Sequence, residues 1–488
     1  MRTRAARHEV PLDPPVVATE LPLCVDLDET FLKSDVLIEG LLTLVKKNPL
    51  ALFAILYWLA HGKARLKAEV AARADLDVAC LPVNEELLDW LMTERMRGRR
   101  LVLCTAADGR IARRVAEHYG IFHDIVSSDE SRNLSGEAKA AELERRYGSR
   151  LFDYAGNELK DRHVWERARA AIVVDPTPAL RKRLAEVPNV ERTFDRHRSP
   201  TRWLDAIRLH QWAKNVLILI PAIAAHSLFE VPVLVQSILA VWWFCLCASG
   251  TYIVNDLLDL DADRKHPRKR NRPFARGDLP LQRGLGVAGL LVAGSIVGGV
   301  LTLGLLYAAT LVVYLVGTLW YSAALKRIAM MDVLALAGLY TVRVLAGAAA
   351  VAIVPSFWML AFSMFMFLNL AIVKRYVELR GVLSSGESVA AGRGYTTADL
   401  PLLLSCGTSA GFVSVLVLAL YVNSSLDAFY SKPELLWLLC PLLLYWICRV
   451  WRKTFRGSLH EDPVVFALTD KPSLVVGALS GLLFWIAI

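Results

Sequence analysis

The sequence predicts two folds in one chain: an α/β doubly wound domain with a helical cap, then an all-α bundle of nine transmembrane helices. Three observations predict this. Of 488 residues 55% are hydrophobic, mean hydropathy is +0.39, and the apolar residues are unevenly placed: residues 1–198 are charged and mixed, while long apolar runs dominate beyond about 210. Short apolar strands alternate with helical stretches over 21–195, the pattern of a parallel sheet. The later runs are of a length to cross a bilayer.

Met1–Glu20 is basic, then Pro-rich, without an apolar core. It is expected to be a disordered tail and not a secretory signal, which leaves the next domain, 21–195, in the cytosol. Residues 21–25 form an apolar strand ending in Asp26-Leu27-Asp28-Glu29-Thr30. Asp-x-Asp-x-Thr after a strand suits phosphoryl chemistry. In such chemistry the first carboxylate attacks phosphorus, the second exchanges protons with the leaving group, and a cation sits between them. Residues 32–90 are expected to form the cap. Its Leu50–Ala60 run has eleven residues, too few to span a bilayer, and rests either on the membrane or on the cap core. A second strand, Arg100–Cys104, ends at Thr105. Lys139 opens a helix after Ser135-Gly136. Phe152–Ala155 leads into Gly156-Asn157-Glu158-Leu159-Lys160-Asp161, and Ala171–Val174 follows as another strand. Glu186–Pro200 is a charged linker into the 196–488 domain.

Together these motifs resemble the four of the haloacid dehalogenase superfamily. The resemblance implies that Asp26 is nucleophile, Asp28 acid/base, Thr105 and Lys139 phosphate binders, and Asp161 a Mg²⁺-site carboxylate. The fourth motif normally starts with Asp where this chain has Asn157. An amide oxygen can still ligate Mg²⁺, with one negative charge fewer. Both an active phosphatase and a non-catalytic sensor are compatible with that change.

Candidate spans lie at about 213–229, 234–254, 284–303, 305–321, 332–354, 357–373, 401–421, 435–451 and 472–488. The loops at 255–283, 322–331, 374–399 and 449–471 hold nineteen Lys and Arg, and the alternate loops hold only Lys432. The positive-inside rule therefore puts these four loops, with the N-terminal domain, on the cytoplasmic side. The eight cysteines include no CxxC pair and indicate no disulfide framework. The net charge of +9 is concentrated beside the spans, so it does not point to nucleic acid.

The loop after the second span reads Asn255-Asp256-Leu-Leu-Asp259-Leu-Asp261-Ala-Asp263. On a continuous helix Asp256, Asp259 and Asp263 fall within about 60° of one another, and Asp261 points away. Three aligned carboxylates at a membrane mouth repel unless they hold a divalent cation, and Mg²⁺ joins one or two carboxylates to substrate phosphates. The plain alternative is a solvated acidic helix end paired with Arg264 and Lys265. Seven basic residues follow from Arg264 to Arg276, among them Lys269 and Arg272. They suit anionic lipid headgroups or the phosphates of a substrate.

Asn255-Asp256-x-x-Asp259-x-x-x-Asp263 with its His-Pro and Arg-Pro elements resembles the first aspartate motif of the UbiA superfamily of intramembrane prenyltransferases. That superfamily's nine-helix bundle matches the span count, and the resemblance covers roughly 200–488. Its aromatic prenyltransferases carry a second Asp-rich motif, where this chain has only Asp332. Gln211-Trp212-x-Lys214-Asn215, Tyr321 with Lys326, and Lys374-Arg375-Tyr376-Val377-Glu378-Leu379 are instead similar to the decaprenyl-phosphate phosphoribosyltransferase branch. That likeness implies Mg²⁺-dependent transfer of 5-phosphoribose from phosphoribosyl pyrophosphate to a polyprenyl phosphate in a bacterial inner membrane. Asp256 and Asp259 would be catalytic, Asp263 a further metal ligand, and Lys214, Lys326, Lys374 and Arg375 phosphate clamps. Glu378 also sits four residues after Lys374, where a simple ion pair forms. Arg343, inside a span, marks either function or pairing with another helix. The expected whole is a bifunctional enzyme with Mg²⁺ in both halves; the alternative is an aromatic prenyltransferase using a polyprenyl diphosphate.

Overall fold

The computed structural model describes residues 21–487 apart from 130–131, 196–198, 385, 387–392, 426–429 and 460–462. The tail over 1–20 lies outside the described residues.

Short apolar segments pair into one parallel six-stranded sheet, β1 (Leu23–Val25), β2 (Leu101–Asp108), β3 (Asp124–Ser128), β4 (Asp153–Gly156), β5 (Ala171–Val174) and β6 (Val190–Phe194). Their order is β3-β2-β1-β4-β5-β6. Leu23 stands opposite Leu101 on one side and Asp153 on the other. The central strands are buried on both faces, which is why they read as continuous apolar runs without alternation. Winding changes direction at β1, between β2 and β4, and a crevice opens there at the carboxyl ends of the strands. Asp26 and Asn157 are the first residues beyond β1 and β4. β2 runs past its expected end, so Thr105 lies within the strand.

An antiparallel bridge between Leu32 and Val83 closes the neck of the cap. Between them lie α1 (Val36–Lys47), α2 (Ala51–Ala60) and α3 (Lys63–Arg73). Asp35 starts α1 by accepting from the amides of Leu37 at 2.8 Å and Ile38 at 3.2 Å. Gly40 lets α3 approach: a Cβ there would meet Val70 Cγ1 at 2.5 Å. α4 (Glu85–Met96) returns to the sheet and buries Leu87 and Leu91 in its core. α5 (Gly109–Tyr119) and α6 (Glu137–Tyr147) follow β2 and β3.

Contacts divide the chain into two units. One holds residues up to Trp203 together with Asp256–Gly284; the other holds Leu204–Asn255 and the chain from Leu285 onward. Among the described residues seven helices are long and apolar enough to cross a membrane: Val231–Leu258, Leu281–Leu303, Leu305–Ala323, Met331–Ala350, Phe357–Ser384, Thr397–Asn423 and Pro433–Phe455. Two of the nine expected spans differ. The 213–229 stretch is a 3-10 segment, Leu209–Leu219, running into the short helix Ile220–Ala224. Its polar Lys214 and Asn215 are buried in protein, and Pro221 lacks the amide hydrogen that a continuous helix would use. The last stretch is an apolar helix of 17 residues, Lys471–Ala487. Within the second unit Phe244, Tyr307 and Tyr314 share one core, and Tyr340, Phe367, Trp446 and Trp451 another.

The 3-10 segment depends on one glycine. A Cβ on Gly347 would lie 1.9 Å from the Ile218 carbonyl oxygen. The contact is with backbone, so no side-chain rotation relieves it. Gly347→Ala is expected to destabilise the bundle by about 1–3 kcal/mol, read as a lower thermal midpoint of the purified protein in detergent.

Candidate active sites

At the crevice the buried Asp26 carboxylate accepts from Lys139 Nζ at 2.7 Å. The same ammonium donates to the Tyr154 hydroxyl at 2.9 Å, and that hydroxyl donates to Asp161 Oδ1 at 3.0 Å. Burial pushes Asp26 up to about 6, Lys139 opposes this, and Asp161 adds to it. Burial works against the charge of Lys139, yet Asp26 and Asp161 more than offset it and hold the ammonium above the usual lysine range. Asp28 lies where the chain turns sharply, beside Glu29 at φ 55°. Its Oδ1 accepts from the Val36 amide at 2.9 Å. Burial, then the neighbouring Asp35 and Asp26, raise Asp28 well above the usual carboxylate range. The two carboxyls are therefore held differently: Asp26 against a lysine ammonium, Asp28 by burial among other carboxyls.

Thr105 is buried, with its hydroxyl oxygen accepting from the Ala107 amide at 2.9 Å. Asn157 is buried, and neither Oδ1 nor Nδ2 has a hydrogen-bond partner. A buried amide in that state costs about 1–3 kcal/mol. An oxygen-seeking cation would satisfy Oδ1, so Asp26, Asp28 and Asn157 fit Mg²⁺. Asp161, the expected metal-site carboxylate, accepts at Oδ2 from the amides of Asn157 at 3.0 Å and Glu158 at 2.9 Å, which holds the loop, and at Oδ1 from the Tyr154 hydroxyl. Sequence reasoning missed Lys67 on α3. Its Nζ donates to the Ala106 carbonyl at 2.6 Å and to Asn133 Oδ1 at 2.9 Å, and burial lowers its pKa against the pull of Asp28 and Asp35. Nothing in Lys63–Arg73 distinguishes it from a solvated helix lysine.

The Asp-rich segment departs from one aligned row of carboxylates. The helix Val231–Leu258 stops, Asp259 takes φ −100° and ψ 13°, and a new helix runs from Leu260 to Lys265. The break separates the carboxylates. Asp256 Oδ1 and Asp263 Oδ2, both buried, converge on Arg272 Nη1 at 3.0 and 2.6 Å. Asp259 pairs with Lys46 of α1 at 3.3 Å. Among the described residues no three His, Cys, Asp or Glu side chains group to hold a metal. Two buried carboxylates already gathered on one positive group still suit Mg²⁺, which takes one or two carboxylates and completes its shell with phosphate and water. Arg264 turns from the phosphate role to the cap: it meets Glu39 of α1 at 2.5 and 3.1 Å, with side-chain exposures of 6% and 2%. Gln282 reaches Asp35 at 3.0 Å and Lys265 reaches Asp77 at 2.7 Å. Asn255 is half-buried next to Asp256, and Lys269 is exposed at the start of the turn Lys269–Asn271.

In the second unit Asn215 is buried between Arg343 Nε at 3.0 Å and Cys245 Sγ at 3.1 Å. Arg343 also donates to the Leu339 carbonyl at 2.7 Å and lies about 5 Å from the ring centres of Tyr314 and Tyr340. Its charge is met by π faces and dipoles. Arg375 Nη2 stands 2.7 Å from Asp332 Oδ2, both buried, and Arg375 also pairs with Glu378. Tyr395 donates to Asp332 at 2.5 Å. Arg393, absent from the expected set, bonds the Tyr321 hydroxyl at 2.8 Å and reaches Glu378 at 3.5 Å. Tyr321, Arg375 and Glu378 thus belong to one network. Lys214 is buried in the 3-10 segment, Lys326 lies on the turn Leu325–Arg327, and Lys374 is exposed.

Residues 216–469 match the UbiA prenyltransferase family. The chain belongs to this family, and is a transferase built as an integral multi-pass membrane protein. The uncharacterized protein y4nM of Sinorhizobium fredii is 34% identical over 94% of this chain and 90% of its own, so it shares both parts. The decaprenyl-phosphate phosphoribosyltransferase of Corynebacterium glutamicum is 36% identical over 36% of this chain; the match spans about half of that relative, 54%. A UbiA homologue from Archaeoglobus fulgidus, solved with GPP and Mg²⁺, covers 59% of this chain and 98% of its own at 14% identity and TM-score 0.45.

Removing one partner of a buried ion pair leaves the other charge stranded, at about 3–5 kcal/mol. Arg264→Ala is expected to lower stability by that amount, while Arg264→Ala with Glu39→Met recovers most of it. Thermal unfolding of both proteins in detergent checks this.

Proposed function

We propose that the membrane half transfers 5-phosphoribose from phosphoribosyl pyrophosphate to a polyprenyl phosphate. The N-terminal domain, a haloacid dehalogenase-like phosphatase, then removes the 5-phosphate of the product or of a related ester. The observation that carries the first step is the state of Asp332. It is the acidic residue standing where aromatic prenyltransferases have a second aspartate motif, and it is committed to Arg375 and Tyr395. That leaves Asp256 and Asp263 as the gathered acidic pair, a set suited to one pyrophosphate. The partial likeness to the Corynebacterium enzyme supports the same donor and acceptor.

In this reading the bond from the sugar C1 to pyrophosphate breaks, and an oxygen of the lipid phosphate bonds to C1. That oxygen is already anionic, so the enzyme needs no strong base. A magnesium ion held by Asp256 and Asp263 would neutralise charge gathering on the leaving pyrophosphate. Arg272 and Lys269, in the same unit as that acidic pair, bind phosphate oxygens. In the other half Asp26 attacks phosphorus, and the ester oxygen leaves with the proton of Asp28. Water then cleaves the aspartyl phosphate and returns a proton to Asp28. Lys139 keeps Asp26 ionised, and Asp26, Asp28 and Asn157 provide the oxygens for Mg²⁺. The charge bias of the loops supports placing both sites on the cytoplasmic face of a bacterial inner membrane.

Purified protein given labelled phosphoribosyl pyrophosphate, Mg²⁺ and a polyprenyl phosphate is expected to yield labelled lipid. No labelled lipid beside an active control enzyme would sink the transferase, and a prenylated aromatic product would replace it. Asp256→Asn should lower lipid labelling at least about 100-fold and spare hydrolysis of a separate phosphate ester. Asp26→Asn should do the reverse. Phosphate release that survives in Asp26→Asn would leave a sensor in place of a phosphatase.

A further inference from the structure

Among the described residues α2 is the one element of the N-terminal unit that turns a run of apolar side chains outward. Leu50, Leu52, Phe53, Leu56, Tyr57 and Leu59 are all exposed, Phe53 to 71%, while Ile55 and Trp58 anchor the helix to the cap. Elsewhere in that unit the exposed large apolar residues stand singly, as at Met92, Met96, Leu151 and Val190. A continuous patch of this kind marks an interaction surface. Residues 48–60 contain no charged side chain, and cations stand at both ends: Lys46 and Lys47 before, Lys63 and Arg65 after. Ten residues make a helix of about 15 Å, half the thickness of a bilayer core.

The position of α2 identifies the occupant. In the same unit, Lys46 in the last turn of α1 holds Asp259, the residue immediately after the membrane helix Val231–Leu258. α2 starts five residues beyond Lys46, a reach of at most about 18 Å. The exposed face therefore lies within that reach of Asp259, where the chain leaves a membrane helix. We propose that α2 is an interfacial helix that lies in the plane of the bilayer surface. Phe53, Leu56 and Tyr57 enter the headgroup–acyl boundary, and Lys47, Lys63 and Arg65 meet anionic headgroups. The cap is thereby fixed to the lipid surface independently of the spans.

The full-length protein in nanodiscs of one copy each, made with phospholipids carrying a diazirine in the upper acyl chain, tests this. After photolysis, peptide mapping should find acyl adducts within 50–60 and on the membrane helices, and none on α5. Adducts on the membrane helices without any in 50–60 would overturn the proposal. So would dimers cross-linked through 50–60 in two-copy discs that abolish the adducts, since a second copy would then cover the face. Phe53→Ser with Leu56→Ser should lower the 50–60 adduct yield at least fivefold and leave labelling of the membrane helices unchanged. Replacing anionic by zwitterionic lipid should lower the 50–60 yield severalfold; an unchanged yield would overturn the headgroup contact.

Discussion

A buried ion pair between Glu39 and Arg264 sets much of the arrangement of the N-terminal unit. Both charged side chains are almost wholly covered, so removing either strands the other, and their separation of 225 residues makes the contact a topological constraint. It fixes the register of α1 against the segment that follows Asp256. Asp35–Gln282 and Lys46–Asp259 fall on the same helix and follow from that register. At its start α1 gives the Val36 amide to Asp28, and in its last turn it gives Lys46 to Asp259. One helix therefore touches Asp28 at its start and Asp259, beside the acidic pair in sequence, at its end.

Each charge in or near the apolar layer is met differently, and the differences separate framework from chemistry. Arg343 is surrounded by aromatic faces and an asparagine, and Asp332 by arginine and tyrosine. At the Asp332 pair Arg375 Nε is buried without a hydrogen-bond partner, while the Arg343 arrangement is closed. Asn157 is the opposite case: its two polar atoms are buried without partners, a state that costs energy unless a ligand completes it.

The chain made some of this legible and hid the rest for identifiable reasons. The position of Asp26 directly after β1 was legible because an apolar run followed by an acid marks a strand end, whereas Thr105 lies within β2 and Lys139 on α6. The seven long spans were legible because a bilayer sets their length. The 3-10 segment was not, because Leu209–Leu219 has the apolar content of a helix, and its conformation follows from burial against Gly347. Asp259 was misplaced because helical spacing assumes a continuous helix, and the helix breaks at that residue, which pairs with Lys46. Glu39, Lys67 and Arg393 gave no local signal at all, since their partners are distant in sequence.

Arg272 has one further consequence. Its guanidinium holds Asp256 and Asp263 together with a positive charge that no physiological pH removes. Any divalent ion arriving there enters by exchange, trading places with a resident cation of the protein itself. Occupancy of that acidic pair would then be a competition between two cations, and a weakly bound ion would lose it to the tethered guanidinium.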